Sequence, residues 1–214
     1  MIIILLEFFY YEAYCCLTRL YFTPKKIGLY ALSSFASSCE GALALVMTDV
    51  TLLETWFSLL SSGKIEILTA ALHSIARVLD TKSNSLEVGQ GSSESKASST
   101  TADGDVTSSV DLAALKKKIV SEIGKTKGVS AVTFLMKTAR QPVNERKLAV
   151  YATMTALCRQ QPGGWGLMAM YSTQGFREFI EDRDTEHTKE GKEAKFRSAI
   201  FEGHLSSSVE FKIF

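Results

Sequence analysis

Apolar residues recur at steps of three and four along most of this chain, a spacing that predicts amphipathic α-helices. The most regular pattern is a single apolar stripe in the segment 64–79: Ile65, Leu68, Leu72, Ile75, Ala76 and Leu79. The segment 146–158 has a second stripe, whose small residues would let another helix approach closely: Leu148, Ala149, Ala152 and Ala156. None of these helices is long enough to be stable alone, so each must bury its stripe against a neighbour.

Polar residues predict where several helices begin. Pro24 suits the start of a helix over residues 27–38, because its fixed φ is that of a first helical turn. Asp49 is the predicted N-cap of a helix over residues 52–60, since its side chain can accept from free first-turn amides. Asp111 is the predicted N-cap of the helical segment that follows it, for the same reason.

Three of the predicted helices are similar in pattern to one another. They are the segments 28–35, 64–79 and 147–154, and the first two start about 37 residues apart, a period found in helical repeat proteins. A glycine-bearing break, an apolar turn and a further helix follow, for instance at 162–164, 165–170 and beyond. The sequence therefore predicts an all-α fold, an α-solenoid of armadillo- or HEAT-like helical repeats.

Composition divides the chain into four regions. Residues 1–80 and 110–203 have helical patterns and are predicted helical repeats, and 204–214 form a weakly patterned tail. Residues 81–109 are rich in Ser, Thr, Gly and Asp, with no aromatic residue. Such a segment cannot bury enough apolar surface to offset its ordering entropy, so we expect a disordered insertion.

The first residues form an apolar run with two interpretations. The stretch 1–6 resembles the hydrophobic part of a secretory signal, but it has no basic segment before it, and Glu7 and Glu12 interrupt the run early. A buried helix with Ile3, Leu6 and Tyr10 on one face is the preferred interpretation over a signal or anchor. Because terminal repeats normally have a polar outer face, this apolar start also indicates a truncated array.

Composition and charge narrow the function classes. The hydrophobic and charged fractions, 46% and 22%, are those of an ordinary soluble protein. A formal net charge of +1 argues against non-specific nucleic-acid binding and against a polybasic membrane anchor. The four cysteines have no metal-binding spacing and are interpreted as reduced thiols of a cytoplasmic or nuclear protein: Cys15, Cys16, Cys39 and Cys158.

No catalytic arrangement is predicted, although one cluster contains possible metal ligands. Asp182, Asp184 and His187 could in principle hold a cation, but Arg183 lies among them and the run continues with alternating charges. Mixed charges at this density usually form a solvated surface, and the spacing fits no known ligand motif. We therefore expect no metal, no cofactor and no enzymatic activity.

Three other polar features have simple structural interpretations. His73 follows directly after Leu72 and is expected to be partly buried or to flank the apolar stripe. The run of lysines at 116–118 is assigned to the outer face of its helix, where it would aid solubility. Cys158 would need a nearby base to act as a nucleophile, and the sequence offers none.

Several segments are similar to one protein family. Residues 53–60 resemble a Thr-Glu-x-Trp-Phe-Ser segment in the C-terminal half of the 26S proteasome non-ATPase regulatory subunit 5 family, and 161–168 resemble its Gln-Pro-Trp-x-x-x-Leu-Met turn. Residues 172–196 are similar over their whole length, with these motifs in the family's order: Gly175-Phe176, Asp182-Arg183-x-x-Glu186-His187 and Lys192-x-Ala194-Lys195-Phe196. The resemblance spans about residues 28–200 and reaches only the C-terminal part of the family.

The resemblance implies binding without chemistry. Proteins of this family are α-solenoids that act as chaperones in assembling the base of the proteasome regulatory particle. They bind the C-terminal domain of one proteasomal ATPase subunit and form a module with other base subunits. The resemblance therefore implies these partners, with no nucleic acid and no membrane, and a cytoplasmic location that can extend to the nucleus.

Two questions stay open at this point. Arg183, Glu186 and His187 are candidate partner-binding residues, and the alternative is that their ion pairs orient one repeat on the next. The chain could also be a generic armadillo-type adaptor for another partner. A small hydrolase with an unrecognised site around Asp182 and His187 is the third, least favoured, alternative.

Overall fold

The computed structural model describes residues 22–38, 43, 47, 49–81, 111–160, 163–182, 184 and 186–195. Every regular element in these ranges is helical. The α-helices are α1 Phe22–Ala36, α2 Val50–Ser58, α3 Ile65–Leu79, α4 Leu112–Lys127, α5 Ala131–Ala139, α6 Asn144–Cys158, α7 Trp165–Tyr171 and α8 Phe176–Glu181. A 3₁₀ turn, Leu59–Ser61, follows α2, and residues 189–195 are also helical.

The helices stack in a way that confirms the α-solenoid prediction. α1 packs on α3, and α3 packs on α6, so the three segments predicted as copies of one another form successive layers. α2, α4, α5, α7 and α8 pack behind and beside them: α4 contacts α2 and α5, while α6 contacts α5 and α7. One continuous apolar core runs through these layers.

The predicted N-caps are confirmed. The Asp49 carboxylate accepts from the Leu52 amide at 2.9 Å and begins α2. The Asp111 carboxylate accepts from the Ala114 amide at 3.0 Å and begins α4. Both contacts are local in sequence, which is why the sequence alone could identify them.

α3 differs from the single stripe predicted for it. The helix is buried on most sides, and residues outside that stripe, such as Ile67, Ala71 and Val78, also belong to the core. Ile65, a predicted stripe residue, is instead 37% exposed. α3 is buried on most sides because it lies in the centre of the stack, where both α1 and α6 pack against it.

Two hydrogen bonds tie the layers to α3. The Trp56 indole donates from Nε1 to the Ser74 hydroxyl at 2.9 Å, which fixes α2 on α3. The Thr153 hydroxyl lies 3.1 Å from the carbonyl oxygen of Leu72, which joins α6 to the same helix. Both contacts are buried, where a paired polar group adds specificity to apolar packing.

The break after α6 depends on glycines. Gly163 and Gly164 have positive φ values of 74° and 60°, in the region that favours glycine. At Gly166 in α7, a Cβ atom would collide with the Leu157 carbonyl oxygen. Glycine there lets α7 lie directly against the end of α6.

The predicted outer face for lysines 116–118 is wrong for Lys116, whereas Lys117 and Lys118 are exposed as predicted. Lys116 is only 7% exposed, and its ammonium group donates to backbone carbonyls at the end of α3. Lys118 donates to the Met47 carbonyl at 3.0 Å, and the Lys117 ammonium lies 5.8 Å from the Trp165 ring centroid. The three lysines join different parts of the fold because α4 runs across its neighbours.

Several predictions fall outside the described residues. These include the buried N-terminal helix, the disordered insertion from residue 82 onward, and the C-terminal tail. Among the helices that the structure does describe, none combines the length and the apolar character needed to cross a lipid bilayer.

Candidate functional site

A groove crosses the exposed face of the stack formed by α1, α3 and α6. It has a volume of about 480 Å³ and is largely open to solvent. α1 contributes one side chain, α3 three and α6 two, and the residues that follow α3 and α6 directly contribute one each: Tyr30, His73, Ala76, Arg77, Ala152, Thr155, Asp80 and Arg159. The groove therefore exists only because three helices distant in sequence lie side by side.

Small side chains keep the groove open. Ala76 of α3 and Ala152 of α6 line it, so no large side chain fills the space between the two helices. Ala152, one of the small residues predicted to let another helix approach, is partly buried against the core and also lines the groove. Tyr30 on α1 is 37% exposed and adds an aromatic surface to the lining.

Two arginines give the groove a positive character. The Arg159 guanidinium lies 3.4 Å from the Asp80 carboxylate, and both side chains are about half exposed. Arg77 is exposed, and among the described residues its side chain forms no ion pair. Arg77 is therefore exposed at the groove, and none of the described carboxylates forms an ion pair with it.

The backbone carbonyl groups at the end of α3 accept hydrogen bonds from side chains that do not line the groove. The Lys116 ammonium donates to the carbonyl oxygens of Leu79 at 2.6 Å and Thr81 at 2.5 Å, and the Gln160 amide donates to Leu79 at 2.8 Å. Burial lowers the pKa of Lys116, while the negative charge of Asp80 opposes that shift. Because these groups already cap the helix, Arg77 is not needed to cap it.

His73 lies on α3 within the groove and is partly buried, as expected from its sequence position. Burial lowers the pKa of its imidazole below the ordinary 6.5, so the ring is mainly neutral near pH 7. A neutral imidazole adds one donor and one acceptor without adding charge to the groove.

The sequence candidates lie elsewhere, around a buried carboxylate. Glu186 is 3% exposed, and it accepts a hydrogen bond from the Tyr151 hydroxyl. The Lys147 ammonium lies 3.4 Å from the same carboxylate. We call Lys147, Tyr151 and Glu186 the buried carboxylate cluster. It attaches the segment after α8 to α6, so Glu186 positions this segment and is not displayed at the surface.

Neighbouring residues reinforce this attachment. Lys195 donates to the Asp182 carbonyl, and its ammonium lies 4.9 Å from the Phe179 ring centroid. A Cβ atom at Gly191 would lie 2.6 Å from a Glu186 carboxylate oxygen, so the helical segment 189–195 approaches the carboxylate closely. His187 is exposed beside the cluster.

The cluster shifts the acidity of Tyr151. Burial disfavours the phenolate most strongly, and the hydrogen bond to Glu186 and the negative charge of that carboxylate add to the effect. Together they raise the pKa of Tyr151 far above its ordinary 10.0. The hydroxyl therefore stays protonated and donates to Glu186 at any physiological pH.

The two described partner-binding candidates differ in burial. Arg183 lies outside the described residues, Glu186 is buried and paired, and its neighbour His187 is exposed. Asp182 accepts the Asp184 amide at 3.0 Å, a local turn contact. In the ranges that the structure describes, no three His, Cys, Asp or Glu side chains are grouped as for a metal ion.

Cys158 is a buried cysteine at the end of α6. Its Sγ lies 3.6 Å from the Met170 Sδ, so it packs as a small apolar group against α7. This agrees with the interpretation of Cys158 as a reduced core residue.

The groove residues were missed at the sequence level, although a signal exists. His73, Arg77 and Asp80 follow one another at steps of four and three along α3 and its C-cap, and Thr155 and Arg159 are four apart at the end of α6. Such a polar stripe lies on one helix face. Matching these stripes between the predicted repeat copies would have indicated a shared exposed face.

Comparison with known families finds a match to the C-terminal half of the chain. The family model described as proteasome non-ATPase 26S subunit matches residues 108–208, a range that includes α4 to α8. The C-terminal part of the chain is therefore similar to proteasome non-ATPase subunits. A search of curated proteins gives no match.

Comparison with solved structures supports the fold. The chain is similar to a designed armadillo repeat protein, YIII(Dq.V1)4CPAF, solved in complex with the peptide (KR)4, with a TM-score of 0.56 and 12% sequence identity. The match covers 88% of this chain and 62% of the designed protein. At this identity the likeness shows the α-solenoid fold alone.

Proposed function

We propose that this chain is a non-catalytic scaffold that assists assembly of the base of the 26S proteasome regulatory particle. In this proposal its solenoid surface binds the C-terminal domain of one proteasomal ATPase subunit, in the cytoplasm or nucleus. The observation that carries the proposal is the groove across α1, α3 and α6, in a chain whose residues 108–208 match a proteasome non-ATPase subunit family.

The physical argument is that stacked helices form an extended binding surface. Each layer adds one helix face, so successive layers present side chains at regular spacing to a partner. The armadillo protein of similar fold is itself in complex with a peptide, which supports a binding role for such a surface. Arg77 and Arg159 line the groove of the present chain, and their positive charge does not favour a basic peptide such as (KR)4.

The chemistry of the groove favours binding over catalysis. Its titratable groups are two arginines, one carboxylate, one tyrosine and one partly buried histidine. The Asp80 carboxylate is 3.4 Å from Arg159. An ion pair on an exposed face stabilises a contact surface, whereas a catalytic base needs a free acceptor near a reacting atom.

The test is direct binding to purified ATPase domains. The C-terminal domain of each base ATPase subunit is titrated separately into the chain at micromolar concentration and followed by calorimetry. The N-terminal domain of the same subunit is the matched control. We expect one C-terminal domain to bind and the control to give no heat. The absence of binding to every C-terminal domain would overturn the proposal, and binding of an unrelated partner alone would favour a general adaptor.

A further inference from the structure

We propose that the groove across α1, α3 and α6 binds an extended acidic segment of a partner protein, with Arg77 as its main carboxylate-binding residue. This deepens the proposed function, on which it rests for the identity of the partner. The predicted preference of the groove for acidic segments does not depend on which protein the partner is. Three features of the groove support it: the balance of charges, the availability of Arg77, and the shape of the lining.

The balance of charges is positive around the end of α3. Arg77 and Arg159 line the groove, and Lys116 lies directly behind it on the α3 carbonyls. Asp80 is the single carboxylate of the lining. A ligand with negative charge is therefore attracted to this end of the groove, and a basic ligand is repelled.

Arg77 is the cation that a ligand can use. Arg159 already faces Asp80 at 3.4 Å, and Lys116 is held on the Leu79 and Thr81 carbonyls. Arg77 has no such internal partner among the described residues, because Lys116 and Gln160 already cap α3. An arginine can bind a carboxylate through two parallel N–H···O bonds, which gives strength and direction.

The lining leaves room for a peptide segment. The small side chains of Ala76 and Ala152 leave room along the groove, and Thr155 and His73 add polar groups beside it. Tyr30 adds a partly exposed ring to the lining. An extended segment can thus place acidic side chains on Arg77 and small or apolar ones against the alanines and Tyr30.

The first experiment measures charge preference with defined peptides. Fluorescein-labelled octapeptides of alternating Glu–Ala, Gln–Ala and Lys–Ala are titrated with the full chain, and binding is followed by fluorescence anisotropy. We expect the Glu–Ala peptide to bind about tenfold more tightly than the Gln–Ala peptide, since each charged contact contributes more than a neutral one. The preference should disappear in about 1 M salt, where the Debye length is about 3 Å.

The second experiment assigns the preference to Arg77. The Arg77→Glu variant should bind the Glu–Ala peptide at least about tenfold more weakly, because an attraction becomes a repulsion. Lys137→Glu makes the same charge reversal at an exposed position of α5 outside the groove lining, and should change binding less than about twofold. Circular dichroism of both variants checks that the helices are retained.

Three results would overturn the inference: equal or tighter binding of the Lys–Ala peptide, an unchanged affinity in Arg77→Glu, or no acidic-peptide binding at millimolar chain. The ATPase domain separates this from the proposed function. A chain that binds an ATPase domain but no acidic peptide contradicts the groove chemistry alone. A chain that binds the acidic peptide through Arg77 but no ATPase domain supports the groove chemistry and contradicts the proposed partner.

Discussion

The groove and the buried carboxylate cluster both contain charged residues, but these residues are exposed in the groove and buried in the cluster. In the groove, Arg77 is exposed and unpaired among the described residues. In the cluster, Glu186 is buried and is paired with both Lys147 and Tyr151. The first charge can be satisfied by a partner, whereas the second is already satisfied within the chain.

The difference teaches that burial decides the role of a charged residue. The charge run around Glu186 left two interpretations open, a partner-binding surface or ion pairs that orient one repeat on the next. Glu186 lies buried at the junction of α6 and the segment that follows α8. The groove residues are spread over three helices and form no run at all. Stability should therefore depend on the cluster, and binding on the groove.

The largest expected effect is the loss of Glu186. In Glu186→Ala, the Lys147 ammonium and the Tyr151 hydroxyl stay buried without their acceptor. Removing one partner of a buried ion pair costs about 3–5 kcal/mol, so urea unfolding should show a destabilisation of that order. Hydrogen exchange should show segment 186–195 opening first.

Glu190→Ala is the matched control for this variant. Glu190 lies in the same segment but is exposed, so its loss should change the free energy of unfolding by less than about 0.5 kcal/mol. Equal stabilities of the two variants would break the comparison, because Glu186 would then be no more structural than a surface carboxylate.

A smaller loss of stability is expected when Lys116, which donates to the carbonyl groups at the end of α3, is removed. In Lys116→Ala, the Leu79 and Thr81 carbonyls lose a buried donor, although Gln160 still donates to Leu79. Such a loss costs about 1–3 kcal/mol, measured by urea unfolding. Lys117→Ala removes an exposed neighbour and should cost less than about 1 kcal/mol; the reverse order would place Lys116 at the surface.

The cluster also predicts a dependence of stability on alkaline pH. The pKa of Tyr151 is raised in the folded chain, whereas in the unfolded chain it is the ordinary 10.0. Above pH 10 the unfolded state therefore binds fewer protons than the folded state, and the free energy of unfolding falls as pH rises. In Tyr151→Phe this fall should be shallower by up to about 1 kcal/mol per pH unit.

Urea unfolding of both proteins between about pH 9 and pH 11 checks this prediction. The lowered pKa values of Lys116 and Lys195 act in the opposite direction, since folding favours their neutral forms. The comparison of the two proteins largely removes those common contributions. Parallel pH profiles would mean that Tyr151 is not buried against Glu186.

The smallest expected effect on stability belongs to Arg77. Because its side chain is exposed and unpaired among the described residues, Arg77→Glu should change the free energy of unfolding by less than about 0.5 kcal/mol. Thermal unfolding checks this. A large destabilisation would show that Arg77 has a structural role. Both the groove and the cluster would then contribute to stability, and the contrast between them would be lost.

The sequence could predict what depends on local contacts. Asp49 and Asp111 cap helices through amides three residues away, and amphipathic spacing with repeat similarity identified the stack of α1, α3 and α6. The polar spacing of His73, Arg77 and Asp80 can be read from the sequence. The groove itself cannot, because it requires Tyr30, Arg77 and Arg159 to meet from distant parts of the chain. The burial of Glu186 was hidden for the same reason, since Tyr151 lies 35 positions earlier.

The most direct test is hydroxyl-radical footprinting of the chain with and without the ATPase C-terminal domain that binds it. Tyr30 and His73 report on the groove, His187 reports on the surface beside the buried carboxylate cluster, and the highly exposed Met168 is an internal reference. We expect the partner to suppress oxidation of Tyr30 and His73 and to leave His187 unchanged. Protection of His187 with full oxidation of Tyr30 would contradict the account.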